Sequence, residues 1–547
     1  SYADKESPKH NYKKAAYWFQ LAAQNEHAAA QCELGHLFSN GQGVREDLNE
    51  VKYAMSNLST PSHTHDEAIL QKDIHNSDAL NLLGLIHFQQ KDYEQSLIYI
   101  EKAVRLRPKA PEYHNNLGMV LNSLGRVEEA VVAYLDALEL APTYADVFYN
   151  LGILENNRHN YQIAVEYFQT CLNCDPTHRN VRNGMAIALI RLDKLHKATK
   201  QIEEQLGQHP QDVDALNNLS VVKILSKDNY NARKTLEIAL EIDNQHVTSR
   251  LNRAQLILLE GNLRDGFAEH EWRLKSPGYE QKFKIPRWKG EAQPDSTIIL
   301  WGEQGLGDAL QFIRYAPMVK QRIGKIVVSC RPPLQRLLAT IPTVDEVISS
   351  TASITAHAHL PIMSLPYVFH TTANSIPAEV PYIPVPTPLA LPGDKSTLKV
   401  GIVWAGNPKH PRDSRRSRPL DEFAPLGSLP NVDFFSLQMG KAKKQRPPDS
   451  LKLIDLTHQI EDFYDTARIV AALDLLITVD TSIAHLGGAL NKPVWLIIDE
   501  IPDWRWQLKR KDTPWYPSLS LFRSQGDYGL LFKEMAQALS GLNNRRT

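Results

Sequence analysis

The chain is 547 residues long, 42% hydrophobic and 22% charged, with 61 basic against 62 acidic side chains and a net charge of −1. At roughly 150 residues per domain that length implies three or four folded domains, and the near-neutral balance argues against a dedicated binder of nucleic acid or of an anionic membrane. No apolar run approaches the ~18 residues of a membrane-spanning helix, and four cysteines are too few for a disulfide scaffold. The polar opening, residues 1–10, lacks the apolar core of a secretory leader, which points to the cytoplasm; it starts on Ser rather than Met, so the native start stays open.

The first half repeats itself. Small residues recur every 34 positions at Gly84, Gly118, Gly152, Ala186, Ser220 and Ala254, and prolines with the same period at Pro108, Pro142, Pro176 and Pro210. A third series runs Ala103, Ala137, Cys171, Gln205 and Ala239. A small residue where two helices cross lets their backbones approach, and a proline stops the second helix. This register resembles the tetratricopeptide repeat family. Cys171 falls in an alanine slot, so the Cys171–Cys174 pair reads as packing rather than as a zinc or redox site. Upstream, Leu34-Gly35, the turn Gly41-x-Gly43-Val44 and Asp47 resemble the related Sel1-type repeat, with residues 59–65 as an irregular connection and Glu269 to Lys275 as the last helix. Stacked repeats offer a concave surface suited to an extended peptide or a helix. Asn115, Asn116, Asn150, Asn183, Asn217 and Asn218 lie at related registers of first helices, where their amides either hold a peptide backbone or are solvated.

After Pro286-Arg287-Trp288-Lys289-Gly290 the period changes to short apolar strands alternating with helices. Strands are predicted at 298–301, 326–329, 344–348, 400–404, 434–437, 475–479 and 494–498, and helices at 308–320, 333–339, 466–473 and 483–490. Such alternation implies parallel sheets with right-handed crossovers. The strands form two groups, joined by a proline-dense bridge containing Pro377, Pro381, Pro384, Pro386, Pro388 and Pro392. Two open α/β domains bind ligands at the carboxyl ends of their strands. The domain plan is therefore Sel1-like repeats over 1–58, a tetratricopeptide array over 66–276, a linker over 277–294, and α/β lobes over 295–392 and 396–547.

Three segments carry possible chemistry. The glycine-rich turn Trp301-Gly302-Glu303-Gln304-Gly305-Leu306-Gly307-Asp308 leads from a strand into a helix, where Asp308 is either a cap or an ionised carboxylate at the positive helix end. The loop Asn407 to Leu420 places Lys409, Arg412, Arg415, Arg416 and Arg418 against one acid, Asp413, a composition suited to a phosphorylated ligand or to a solvated face. Asp480-Thr481-Ser482-Ile483-Ala484-His485-Leu486 joins a strand to a helix whose first amides, those of Thr481, Ser482 and Ile483, can cradle a diphosphate. His485 either faces the ligand or packs. Gln438 follows a strand where a nucleoside can sit, and Trp404 or Trp504 can stack on a ring. No D-x-D stands beside the third segment, and His357-Ala358-His359 reads as packing, so no metal is expected.

In this order the three segments resemble heptosyltransferase-type glycosyltransferases, which transfer a sugar from a nucleotide diphosphate. Joined to the repeats, the chain is similar to bacterial tetratricopeptide glycosyltransferases, including flagellin-modifying ones, with a layout analogous to O-GlcNAc transferase. "DWRW" (Asp503 to Trp506) and "PWY" (Pro514 to Tyr516) fit that subgroup. The resemblance implies a GT-B fold and an inverting, metal-independent enzyme without cofactor. In it Asp308 and Arg416 are catalytic, and Gly305, Gly307, Asn407, Lys409, Gln438, Asp480, Thr481, Ser482, Ile483 and His485 bind the nucleotide-sugar. Asn116, Asn150, Asn183 and Asn217 would hold a protein acceptor, flagellin or another bacterial surface protein. The first lobe is short for the family, and the cation that meets phosphate stays open among Lys409, Arg415, Arg416 and Arg418. The alternatives are a non-enzymatic repeat adaptor with a degenerate transferase domain, or a transferase acting on a lipid-linked or polysaccharide acceptor.

Overall fold

The computed structural model describes residues 76–543 apart from 277–278, 280–281, 350–354, 395 and 411, so the Sel1-like segment and the irregular connection lie outside the described residues. The chain divides into two compact units, one ending at Ala188 and one running from Leu189.

In the first unit helices come in pairs: Ser77–Gln89 with Tyr93–Leu106, Pro111–Ser123 with Val127–Leu140, and Ala145–Asn157 with Tyr161–Cys174. The sequence period explains the pairing. A Cβ on Gly84, Gly118 or Gly152 would lie 2.3, 2.5 and 2.5 Å from Ile100, Tyr134 and Phe168, so each glycine is the hole for one large knob sixteen positions later. Cys171 is fully buried beside Phe168 in the series, and burial pushes its thiol up to about 12, the opposite of a reactive thiolate. The asparagines tie neighbouring first helices together: Asn116 Nδ2 donates to Asn81 (2.9 Å) and Asn150 Nδ2 to Asn115 (2.9 Å).

The second unit begins with the rest of the array, whose pairs are Val213–Leu225 with Asn229–Ile242 and Val247–Leu259 with Leu263–His270. Asn252 Nδ2 donates to Asn217 (2.8 Å), the same inter-repeat tie. The final helix stops at His270, and Glu271–Lys275 is a tighter 3-10 turn, where the sequence predicts one helix from Glu269.

Two all-parallel sheets follow. The first has β1 (Gln293–Trp301), β2 (Ile323–Ser329), β3 (Glu346–Ile348) and β4 (Ala358–Pro361) in the order β3-β2-β1-β4. The second has β5 (Leu398–Val403), β6 (Val432–Ser436), β7 (Leu453–Asp455), β8 (Leu475–Val479), β9 (Val494–Ile498) and β10 (Leu519–Arg523) in the order β10-β9-β8-β5-β6-β7. In each sheet the first strand lies inside, so the strand order reverses beside β1 and beside β5, which is where open α/β sheets bind ligands. The predicted helix 308–320 is broken in three: Leu306–Phe312, a 3-10 turn Ile313–Tyr315, and Ala316–Lys320 with Pro317 in its first turn.

One hydrophobic core joins the last repeat to both sheets. Leu258, Leu259, Leu263 and Phe267 are buried with Leu300, Phe312, Leu496, Trp504 and Trp515. Phe267 sits edge-on to Phe312 (6.1 Å), Trp504 (5.4 Å) and Trp515 (6.4 Å). The array is thus not appended to the α/β region; its last pair completes it. Phe267→Ala should cost about 3–5 kcal/mol in urea unfolding of the second unit. A loss below about 1 kcal/mol would mean that the last repeat is only tethered.

Candidate functional site

A cavity of about 1040 Å³ opens at the carboxyl ends of both sheets. Its walls are the segments that follow β1 (303–308), β5 (405–416), β6 (437–439), β8 (480–485) and β9 (499–505), together with Leu251, Gln255, His270 and Arg273 from the last repeat. Of the residues singled out in the sequence, Gly305, Gly307, Asp308, Asn407, Arg416, Gln438, Asp480, Thr481, Ser482, Ile483 and His485 line it. Lys409 is exposed and is not on its wall. Asn116, Asn150 and Asn183 belong to the first unit, and Asn217, in the second, is likewise off the wall.

Asp308 stands in the first turn of its helix, where Oδ2 accepts the Gly305 N–H (2.7 Å), so the cap reading is correct as geometry. Its other oxygen, Oδ1, accepts from Arg505 Nη2. Burial raises the Asp308 pKa, while Arg505 and the Gly305 amide oppose the rise. The result is a carboxylate that is oriented from two sides yet more basic than one in water.

Arg505 is the residue that sequence reasoning missed. It is 8% exposed and spends every guanidinium nitrogen: Nε on Gln311 (2.6 Å), Nη1 on Asp503 (2.8 Å) and Nη2 on Asp308. Gln311 and Asp308 belong to the first lobe, Asp503 and Arg505 to the second, so this one side chain fastens the lobes at the cavity. The motif "DWRW" was visible, but a partner 197 positions away is not legible in a single sequence.

Asp480 and Asp503 are two acids in one site. Burial, then the Asp503 charge, pushes the Asp480 carboxyl up to about 6, against Arg416; Asp503 is held low, its own burial outweighed by Arg505. The protein contains a like-charge pair whose members are driven apart by unequal cationic neighbours.

The basic loop resolves into different jobs. Arg415 pairs with Asp499 (3.4 Å) and Asp193, Arg418 pairs with Glu422 and lies 3.6 Å from the Tyr528 ring centre, and Arg412 donates to the carbonyls of Ile501 and Pro502. Arg416 keeps one long contact, Nε to Asp413 at 3.4 Å, and its guanidinium lies against Gly406, where a Cβ would come within 2.7 Å of Nη2. Among the described residues its Nη1 and Nη2 have no protein partner, and it is the arginine of this loop most available to an anion.

After β8, Thr481 caps the helix Ser482–Ala489: Ile483 N–H turns to Thr481 Oγ1 (3.3 Å), and the Thr481 and Ser482 amides precede the first helical bond, Ala484 N to Thr481 O (3.1 Å). His485 lies on the wall stacked on Trp506 (5.4 Å, 25°) with Nδ1 2.9 Å from Tyr516 Oη, and burial, then Arg505, lowers its pKa to about 3. It is a neutral imidazole. A Cβ on Gly307 would lie 2.8 Å from His485 Cδ2, so glycine is what lets the first-lobe turn meet this ring.

Three sequence expectations change. Gln438 Oε1 accepts the Trp404 and Ala405 N–H groups (2.9 and 2.8 Å) and Nε2 donates to the Ala405 and Met439 carbonyls (3.0 Å each), so it braces the basic loop instead of presenting an open amide. Trp404 is 1% exposed inside the core of the second sheet and is closed to a ligand. Trp504 reaches the wall but packs against Phe267 and Trp515. His359 packs as expected, accepting Trp301 Nε1–H (3.1 Å). Among the described residues no group of three or more His, Cys, Asp or Glu side chains is placed to hold a metal, and no helix is long and apolar enough to cross a membrane.

His270 breaks the repeat rule. Ile100, Tyr134, Phe168, Ile202 and Leu236 recur every 34 positions as fully buried knobs, and position 270 continues the series with a histidine whose buried Nδ1 has no hydrogen-bond partner among the described residues. Burial, then Arg273, lowers its pKa to about 3. Arg273 itself is bidentate to Glu303 (2.7 and 3.1 Å) and bonds Glu271 (2.6 Å), so the last repeat holds the turn after β1.

The tetratricopeptide repeat family matches residues 67–111 and 81–145, and the Sel1 repeat family matches 5–27 and 28–50. Tetratricopeptide repeats are protein-interaction modules. The chain is 24% identical over 337 residues to Protein FlbA of Caulobacter vibrioides, an alignment covering 53% of this chain and 54% of that one, so the chain spans about half the length of the curated relative it matches. Among solved structures it is similar to a tetratricopeptide repeat protein from Parabacteroides merdae (18% identity, 42% of this chain, 92% of that chain, TM-score 0.37). It is also similar to Pseudomonas aeruginosa PilF (20% identity, 36% and 90% covered, TM-score 0.32).

The Asp480 environment carries a pH signature. A carboxyl whose folded pKa is raised binds its proton more tightly in the native state, so its contribution is complete below about pH 4 and is lost as pH rises through about 6. Wild type should therefore lose melting temperature relative to Asp480→Asn between pH 4 and 7, by roughly 2–4 °C. Parallel melting curves would show that Asp480 is not strained.

Proposed function

We propose that the chain is a glycosyltransferase of GT-B type, moving a sugar from a nucleotide diphosphate to a hydroxyl of a protein docked on the repeats, in the cytoplasm. The observation that carries this reading is the pairing, across one cavity, of a buried carboxylate on the first lobe with an available arginine and a helix N-terminus on the second. Asp308 takes the proton of the acceptor hydroxyl while that oxygen bonds to the anomeric carbon and the bond from that carbon to the phosphate oxygen breaks. Arg505 orients the carboxylate. Arg416 and the amides of Thr481 and Ser482 receive the charge that builds on the departing diphosphate, help worth several kcal/mol. Inversion is the outcome of this single displacement, in which the hydroxyl attacks the anomeric carbon from the side opposite the departing diphosphate.

The test is a melting screen of the full chain against nucleoside diphosphates and nucleotide-sugars, since a ligand that binds only the folded state raises its melting temperature. At least one base should shift wild type, and Arg416→Ala should weaken that ligand by about tenfold or more. Asp308→Asn should still bind it but lose transfer by at least about a hundredfold. No shift with any of them would favour the adaptor reading, and transfer to a lipid-linked sugar alone would favour the lipid-linked acceptor.

Deleting the whole array is not a clean test of docking, because Leu258, Leu259, Leu263 and Phe267 belong to the core of the site-bearing unit. Removing residues 1–176 spares them. That truncation should keep ligand binding and lose modification of the protein acceptor; unchanged modification would take the docking role away from those repeats.

A further inference from the structure

His485 has one ring edge on the cavity and the other turned inward to a buried tyrosine. We propose that Tyr516, with the Arg314 guanidinium behind its ring, fixes His485 as the tautomer that carries its proton on Nε2, so that it meets the cavity's ligand only as a hydrogen-bond donor. Such a donor fits an oxygen that can only accept, as on a diphosphate. The use of the donor rests on the nucleotide-diphosphate reading above; the tautomer does not.

The assignment comes from counting hydrogens. Tyr516 is fully buried, and its Oη lies 2.9 Å from His485 Nδ1 and 3.5 Å from Tyr382 Oη. Tyr382 gives its own hydrogen to the Leu310 carbonyl at 2.8 Å, an oxygen that cannot donate in return. Two arrangements then remain for Tyr516. Either it donates to Nδ1, leaving the ring proton on Nε2, or it accepts from Nδ1–H and sends its own hydrogen across 3.5 Å to Tyr382. The second distance lies outside the 2.5–3.0 Å of an O–H···O bond. The first arrangement satisfies every atom at normal length.

Arg314 adds a bias in the same direction. It is 2% exposed, and its guanidinium carbon lies 4.8 Å from the Tyr516 ring centre and 4.6 Å from that of Tyr382. A cation over a phenol draws electron density from the ring, which makes its hydroxyl a better donor and a poorer acceptor. The sequence provides the room: a Cβ on Gly488 would stand 2.3 Å from Tyr516 Cδ1, so only glycine lets the phenol lie against the helix that carries His485. On the cavity side, the Cδ2 and Nε2 atoms of His485 face Gly307 at the start of the first-lobe helix, and Trp506 stacks on the ring and limits its rotation.

The test is the 15N spectrum of full-length protein labelled at histidine nitrogens, with the His485 signals identified by their loss in His485→Gln. Wild type should show an unprotonated Nδ1 and a protonated Nε2 near neutral pH. Tyr516→Phe and Arg314→Met should each shift His485 toward a mixture of tautomers. Tyr516→Phe should also weaken the nucleoside diphosphate that most raises wild-type melting temperature, by about tenfold. A proton on Nδ1 in wild type would overturn the proposal, even if neither variant folds. An unchanged spectrum in either folded variant would overturn it as well. If the wild-type spectrum is as expected but no nucleoside diphosphate binds, the tautomer assignment stands and the diphosphate reading falls.

Discussion

The arrangement turns on a single buried guanidinium. Arg505 holds Asp308 and Gln311 of one lobe and Asp503 of the other, and among the described residues no second side chain bridges the same three groups. A buried cation between acids contributes little net stability, because desolvation offsets most of the attraction. What it does supply is a defined geometry. With Arg505 in place, Asp308 faces the cavity at a fixed angle, Asp503 stays ionised, and Asp480 is left as the acid that bears the strain. The acid, the cation and the amide cradle take their relation to one another from that contact.

The second constraint is hydrophobic. The last helix pair buries Leu258 and Phe267 in the same core as Leu300, Trp504 and Trp515, and the turn after it sends Arg273 to Glu303. The repeats and the sheets are therefore one object at this end of the array. It follows that the short first lobe is completed by helical repeats: Leu251, Gln255 and His270 form wall that the sheet itself does not provide.

The fold was largely legible, because each period is imposed by a physical repeat. A spacing of 34 in small residues could only be a stack of helix pairs, and the runs 298–301, 400–404, 475–479 and 494–498 each hold a buried parallel strand, all apolar but for Thr478. Three strands escaped. β4 reads Ala-His-Leu-Pro, and its histidine is tolerated inside because Trp301 donates to it. β7 has three residues at the sheet edge, and β10 alternates as an edge strand does. The site was legible only in its local parts. Glycine turns and caps are decided by neighbours within a few residues, so 305–308 and 480–485 stood out. The roles of Gln438, Arg505, Tyr516 and Arg314 are decided by partners tens to hundreds of positions away, and composition gives no hint of them. His270 is the exception: its polarity at the sixth knob position was a readable departure from the series.

Repeats whose last pair shares a core with the two sheets do not all have the same freedom to vary. Each repeat before Ala188 closes its own two helices with the same glycine and knob, and asparagine ties join its first helix to the neighbouring one, so one module can be gained or lost there with little change to its neighbours. Insertion of 34 residues beside Phe267 would instead displace Arg273, and with it the loop that bears Asp308. Natural variation in repeat number should therefore accumulate among the modules before Ala188, while the junction keeps a constant length.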